Sequence, residues 1–201
     1  MRPIQHLLSA QDYHVTNLDY PSRQLPIEAL AELLAQVVEQ EHDSDLPLFL
    51  VGYSMGGVLW RYVMQHYRPQ GVEAVLQIGS PNHGSEIADR MAPYAWYRAL
   101  FGPAGQQLTT AALPALFEGE HIDYPLTGIA GTLTFPPFDG WIGQPNDSKV
   151  PVSSTRVEGM QDHVCVPSCH TWMPSNRQVH HQLQHFLAHH AFDHSSGMAS
   201  A

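Results

Sequence analysis

Short strands that are apolar throughout, alternating with helical stretches, predict an α/β domain. Its sheet is mostly parallel and covered by helices on both faces. Three observations carry that expectation. Residues 48–52 and 72–78 are continuous apolar runs of strand length. Residues 26–40 place Ile27, Leu30, Leu33, Leu34, Val37 and Val38 at helical spacing behind Pro26, a residue suited to a helix start. The chain has 201 residues, of which 43% are hydrophobic and only 14% charged. That is enough for one domain with a substantial core, and it argues against disorder.

In order, residues 1–10 read as a helix with Ile4, Leu7 and Leu8 on one face. Residues 13–18, rich in β-branched and aromatic side chains, read as a strand. Asp19, Tyr20, Pro21 and Ser22 are turn chemistry. The helix from Pro26 follows, then the strand at 48–52, a helix over 55–67 and the strand at 72–78. Residues 85–124 break the alternation with a helical stretch at 86–101 and an irregular piece, and they concentrate Tyr94, Trp96, Tyr97 and Phe101. This insertion could cap a site as a short lid, or its aromatics could pack on the body. Further strands are expected at 126–132 and 163–166, with a Pro- and Gly-rich loop at 134–146 between them, and a closing helix at 179–190. One domain over residues 1–192 and a flexible tail over 193–201 complete the expected organisation.

Acidic residues outnumber basic ones by 19 to 9, for a formal charge of −10, and there is no basic run. Nucleic acid is therefore not an expected partner. No apolar stretch is long enough for a membrane span. No signal peptide is visible at Met1, so the expected location is cytoplasmic unless a preceding segment carries a targeting signal. Cys165 and Cys169 sit four residues apart along an extended segment, roughly 13 Å, too far for a disulfide. Both read as free thiols.

The chemistry points to residues 52–56, Gly-Tyr-Ser-Met-Gly, between an expected strand and an expected helix. Gly-x-Ser-x-Gly in that setting makes a sharp turn that exposes the serine hydroxyl at the end of a sheet. Glycine at 52 and 56 is expected to let strand and helix approach closely. The helix opening after Ser54 aims its unpaired N–H groups at the same place. The Met55 N–H is thus the candidate oxyanion donor.

A serine nucleophile needs a base in reach and a carboxylate to orient that base. On such a sheet the order is serine, acid, histidine. Fourteen histidines leave the base open by count, but it must follow the last strand at the carboxyl edge of the sheet. His170 does so. His163 starts that strand, at the far edge, and the histidines at 180, 181, 185, 189, 190 and 194 belong to the closing helix and tail. The acid belongs to the loop after the preceding strand. Asp147, late in that loop, is the first candidate and Asp139 the second. Asp162 begins the last strand at the wrong edge. His181, His185 and His189 lie at i, i+4 and i+8, a row that could bind nickel or zinc adventitiously. No Glu completes a His-Glu-x-x-His arrangement, so a solvated helix face is expected, with no metal site and no cofactor.

With these residues in place, the chain resembles bacterial α/β-hydrolases of the lipase and esterase type, nearest to the group of triacylglycerol lipases and GPI-inositol-deacylase-like hydrolases. The likeness rests on five segments spread over nearly the whole chain: 17–22, 52–57, 79–85, 146–150 running into 154–156, and 163–171. It implies the α/β-hydrolase fold, with Ser54 as nucleophile, Asp147 as acid and His170 as base. It sets residues 81–84 beside the site, with His83 as a supporting or substrate-lining residue, and Tyr53 likewise lining the substrate.

Relatives of that type begin with an apolar strand ending in His-Gly, whose loop supplies a second oxyanion donor. This sequence has no such stretch, and Met1 reads as an internal methionine of a longer chain. The strand would sit between residues 13–18 and the strand before Ser54. Its loss would leave a slot with unpaired backbone on both sides. Losing one oxyanion donor costs roughly 100- to 1000-fold in rate. The expected activity is cleavage of a carboxylic ester, of a small acyl compound or a lipid, through an acyl-enzyme. An acyltransferase would use the same residues, and an impaired or non-catalytic relative would keep the fold alone.

Overall fold

The computed structural model describes residues 1–42 and 46–195. Four strands form one parallel sheet: β1 (Leu48–Tyr53), β2 (Val72–Ile78), β3 (Leu126–Gly131) and β4 (Asp162–Val166), in the spatial order β1-β2-β3-β4. The register runs Leu50↔Val75, Leu76↔Thr127 and Ile129↔Val164. All four strands therefore end at the same edge.

Helices cover both faces, which is why the strands are apolar on both. On one face α2 (Ile27–Glu41) and α3 (Met55–His66) pack over Leu50, Val75 and Leu126. On the other, α1 (Arg2–Ser9) and α7 (Arg177–His189) pack over Leu76, Ile78, Ile129 and Val164. Asn176 caps α7, its side chain accepting from the N–H groups of Gln178 and Val179, as an Ncap asparagine does.

The stretch expected at 86–101 is two helices, α4 (Glu86–Met91) and α5 (Ala95–Gln107), and α5 itself kinks at Gly102, where φ is 62°. A side chain at Gly102 would run into the Arg23 backbone, so the chain turns there. Gln107 at the end of α5 accepts from the Ile27 N–H at 2.7 Å and donates to Glu28 at 2.7 Å. This holds α5 on the start of α2. Tyr97 is buried, while Tyr94 and Trp96 are exposed. A short α6 (Phe138–Ile142) lies in the loop before β4.

Residues 13–18 are not a strand. A strand needs a neighbour to pair with, and none of the four strands lies beside this segment. Between it and β1 is a cavity of about 430 Å³, lined by Ile4, Leu8, Val15, Leu18, Phe49 and Val51 among others. Ser54 donates its N–H to the Ile78 carbonyl of β2, and Leu48 to the Gly71 carbonyl just before β2. By alternation the backbone of Phe49, Val51 and Tyr53 faces this cavity. The tail departs from expectation at its start: Asp193 donates its N–H to Gln182 and accepts from His181, and His194 bonds Asp162. Residues 196–201 lie outside the described residues. Among the described residues no helix is long and apolar enough to cross a membrane.

Candidate active site

Ser54 sits at the turn between β1 and α3 with φ 55° and ψ −126°. A side chain there is rarely tolerated, at a cost of about 1–3 kcal/mol, unless the surroundings enforce it. The close approach that enforces it is made by Gly52: a Cβ would lie 2.4 Å from the Gly57 nitrogen. The second tight position is Gly57, where a Cβ would lie 2.0 Å from Ser80 Oγ. Gly56, expected to be the tight one, would meet only the Tyr20 hydroxyl at an ordinary 3.6 Å. The tight contact falls one residue after the motif's last glycine because α3 meets Gln77 and Ser80 at Gly57.

The loops after β3 and β4 bring two further groups to Ser54. His170 Nε2 is 3.0 Å from Ser54 Oγ, and His170 Nδ1 is 2.7 Å from Asp147 Oδ2. A carboxylate accepts, so Nδ1 carries the proton and Nε2 is left to accept from the serine hydroxyl. His170 is 3% exposed and Asp147 fully buried. The other carboxylate oxygen of Asp147 accepts from the N–H groups of Val150 at 2.7 Å and Lys149 at 3.0 Å. The His170 N–H donates to the Asp147 carbonyl at 2.7 Å, so backbone and side chain of the two residues are paired. Gly79, at φ 58°, leaves room for them: a Cβ there would lie 3.2 Å from Asp147 Oδ2 and 3.3 Å from His170 Nδ1. Met55 opens α3, so its N–H has no intrahelical partner.

The other candidates lie elsewhere. Asp139 is exposed in α6 and accepts from the Gly140 N–H. Asp162 accepts from the N–H groups of Phe192 and His163 and bonds His194. His163 Nε2 is 2.8 Å from Thr155 Oγ1, and burial, then Arg156, pushes its pKa down to about 4. His83, expected beside the site, is exposed and lines a separate polar cleft with Arg156, Asp162 and His163 at the start of β4. The loop carrying it turns down the side of the sheet because its backbone N–H bonds Ser154. Tyr53, expected to line the substrate, turns its hydroxyl to the His170 carbonyl at 2.9 Å. In the histidine row, His181 bonds Asp193 and His185 bonds the Ala191 carbonyl. Among the described residues no cluster of His, Cys, Asp and Glu is placed to hold a metal ion. Cys165 and Cys169 are free thiols.

A buried polar cluster beneath the site went unseen in the sequence. Gln77 donates to the Gly57 carbonyl at 2.9 Å and exchanges bonds with Asn82 at 2.6 and 3.1 Å. Arg61 donates to the Asn82 carbonyl at 3.0 Å, pairs with Glu120 and stacks on Phe117, its guanidinium carbon 3.8 Å from the ring centre. The available signal was Gln77 itself, a polar residue inside the apolar run that follows Glu73.

No protein-family model and no curated protein matches the chain. Solved structures do. The mature form of a lipase from Bacillus licheniformis superposes with a TM-score of 0.63 at 19% identity, over 84% of this chain and 75% of the lipase. A metagenomic carboxyl esterase gives 0.63 at 14% identity, over 76% of this chain and 54% of the esterase. The phospholipase PlaB from Legionella pneumophila gives 0.60 at 17% identity, over 76% of this chain and 41% of the phospholipase. The chain thus spans from under half to three quarters of these proteins.

Proposed function

The chain has the α/β-hydrolase fold, and from that premise we propose that it is a serine hydrolase of carboxylic esters. The observation that carries this is the unbroken chain of contacts Ser54 Oγ, His170 Nε2, His170 Nδ1, Asp147 Oδ2, at 3.0 and 2.7 Å. Ser54 Oγ attacks the ester carbonyl carbon while His170 Nε2 takes its proton. The Met55 N–H binds the developing oxyanion. The imidazolium is stabilised by Asp147 and returns the proton to the departing alcohol. Water then repeats the sequence on the acyl-enzyme, giving the acid and free Ser54. An alcohol in place of water would make the same residues an acyltransferase.

Substrates are small acyl esters or lipids with an apolar part. Supporting this, Leu133 and Phe135 after β3 and Trp172 after β4 are exposed apolar side chains in loops that leave the same edge of the sheet as the reacting groups. The solved neighbours bear the names lipase, esterase and phospholipase. A second reading, a hydrolase-like protein with an incomplete site, is favoured by the cavity beside β1.

Fluorophosphonate labelling read by intact mass separates the two. The wild type is expected to gain one adduct, Ser54→Ala and His170→Ala none. Turnover of p-nitrophenyl butyrate should fall about 10⁴- to 10⁶-fold in Ser54→Ala. A folded wild type that neither labels nor turns over the ester would overturn the hydrolase reading.

A further inference from the structure

We propose that Tyr53 is the positioning residue that sets the base against the nucleophile; this rests on the ester-hydrolase reading of the same site. Ser54 follows β1 and His170 follows β4, and these strands are the two opposite edges of the sheet. Three strand spacings separate them, roughly 14 Å. The segment bearing the base must therefore reach back across the sheet, and something must fix where it stops.

Asp147 holds His170 from the β3 side, through the ring Nδ1 and the backbone N–H. That pair could shift as a unit relative to β1. From the β1 side, among the described residues, two hydrogen bonds reach His170: the reacting one from Ser54, and the Tyr53 hydroxyl donating to the His170 carbonyl at 2.9 Å. The Tyr53 ring also lies against the imidazole, with centroids 5.0 Å apart and planes at 36°. Tyr53 is the last residue of β1 and its backbone is fixed by the sheet register, Tyr53↔Ile78. One side chain thus refers the base directly to the strand that presents the nucleophile. Burial, then Asp147, then Cys169 raises the phenol's pKa, so it remains a donor.

The hydroxyl and the ring make separable contributions. Tyr53→Phe keeps the ring and removes the tie. With p-nitrophenyl butyrate, its kcat is expected to fall about three- to tenfold, the range of one neutral hydrogen bond, with KM within about twofold. Tyr53→Leu removes the ring contact as well and should be slower again by a similar factor. End-point fluorophosphonate labelling should still reach one adduct per chain in Tyr53→Phe, because each molecule remains folded and competent but reacts more slowly. Unchanged kcat in Tyr53→Phe overturns the proposal. So does a loss of rate matched by a loss of labelled chains, which marks damaged folding instead of misplaced geometry.

A readout independent of turnover keeps the two readings apart. The His170 Nδ1 proton, held against Asp147 in a buried site, can be followed by proton NMR. In Tyr53→Phe it should exchange faster with water and broaden. An unaltered signal overturns the positioning role even in a protein that turns over no ester. Ser54→Ala, with Tyr53 intact, should keep the wild-type signal while losing turnover.

Discussion

The carboxyl edge of the sheet and the outer flank of β1 share a strand and are built on opposite terms. At the edge, loops from β1, β3 and β4 are joined by hydrogen bonds through Asp147, His170 and Tyr53, in a volume closed by Gly79 and Gly131. Along the flank, the same β1 presents Phe49, Val51 and Tyr53 backbone to an apolar cavity, and among the described residues it has no strand partner on that side. The Val51 carbonyl accepts from the Trp60 indole N–H, at 3.3 Å. The contrast teaches that a side-chain network at one edge of a sheet can be closely determined while the flank of the same sheet is not. The polar contacts at the edge join the end of β1 to the loops after β3 and β4, across sequence separations of 23 for Asp147–His170 and 117 for Tyr53–His170, and none of those named reaches into the flank.

The largest way to break the comparison is to weaken the edge from below. Arg61 and Glu120 are each 5% exposed at the side chain and support Asn82 and Gln77 beneath the site. Glu120→Ala strands the guanidinium charge, and removing one partner of a buried pair typically costs about 3–5 kcal/mol. Urea unfolding should show that loss. The double variant Arg61→Met with Glu120→Leu should recover most of it, since a packed apolar pair of similar volume is often neutral. If the single variant unfolds like the wild type, the edge does not rest on this cluster.

Backbone protection sharpens the comparison directly. The amides of Phe49, Val51 and Tyr53 face the cavity, whereas those of β2 at Leu76 and Ile78 lie in the centre of the sheet. Hydrogen exchange at the three β1 amides should be at least about tenfold faster, reflecting local rather than global opening. Equal protection would mean that the flank is closed in solution.

Much of the edge was legible in the sequence, and little of the flank. Ser54 announces itself because the turn chemistry at 52–56 is local. Asp147 and His170 follow from chain order and from which end of a parallel sheet each loop leaves. Other features depend on contacts distant in sequence and carry no local signature. Gln77 meets Gly57 twenty residues away, and Tyr53 meets His170 at a separation of 117. The resemblance implied a lining role for Tyr53 and His83, but a residue's neighbours decide where it points. Residues 13–18 have strand composition and no strand, because propensity cannot supply a pairing partner.

The smallest expected effect tests the foot of the sheet, away from both regions. His163 lies at the start of β4 with Thr155 on Nε2, and Nδ1 is buried without a partner. Burial and the Arg156 charge hold it near pKa 4, against the pull of Asp162, and His194 adds to the depression. The unfolded chain binds this proton near pH 6.5, the native chain only near 4. Between those values the unfolded state carries more protons, so stability must fall as pH falls. Asp162 acts in a different window: its carboxyl is half-buried, which pushes the pKa up, but bonds from the Phe192 N–H, His194 and the His163 N–H hold it below the usual range, so its loss comes at more acid pH. Replacing His163 with Gln keeps a hydrogen-bonding group for Thr155 and removes the titration. Urea midpoints from pH 7 to 4 should then decline less steeply than in the wild type, by about 1–2 kcal/mol at pH 4 after allowing for partial exposure. The two curves should coincide in slope above pH 7. If they run parallel down to pH 4, the imidazole takes up its proton as readily in the fold as in the open chain, and the foot of the sheet is wetter than its packing implies.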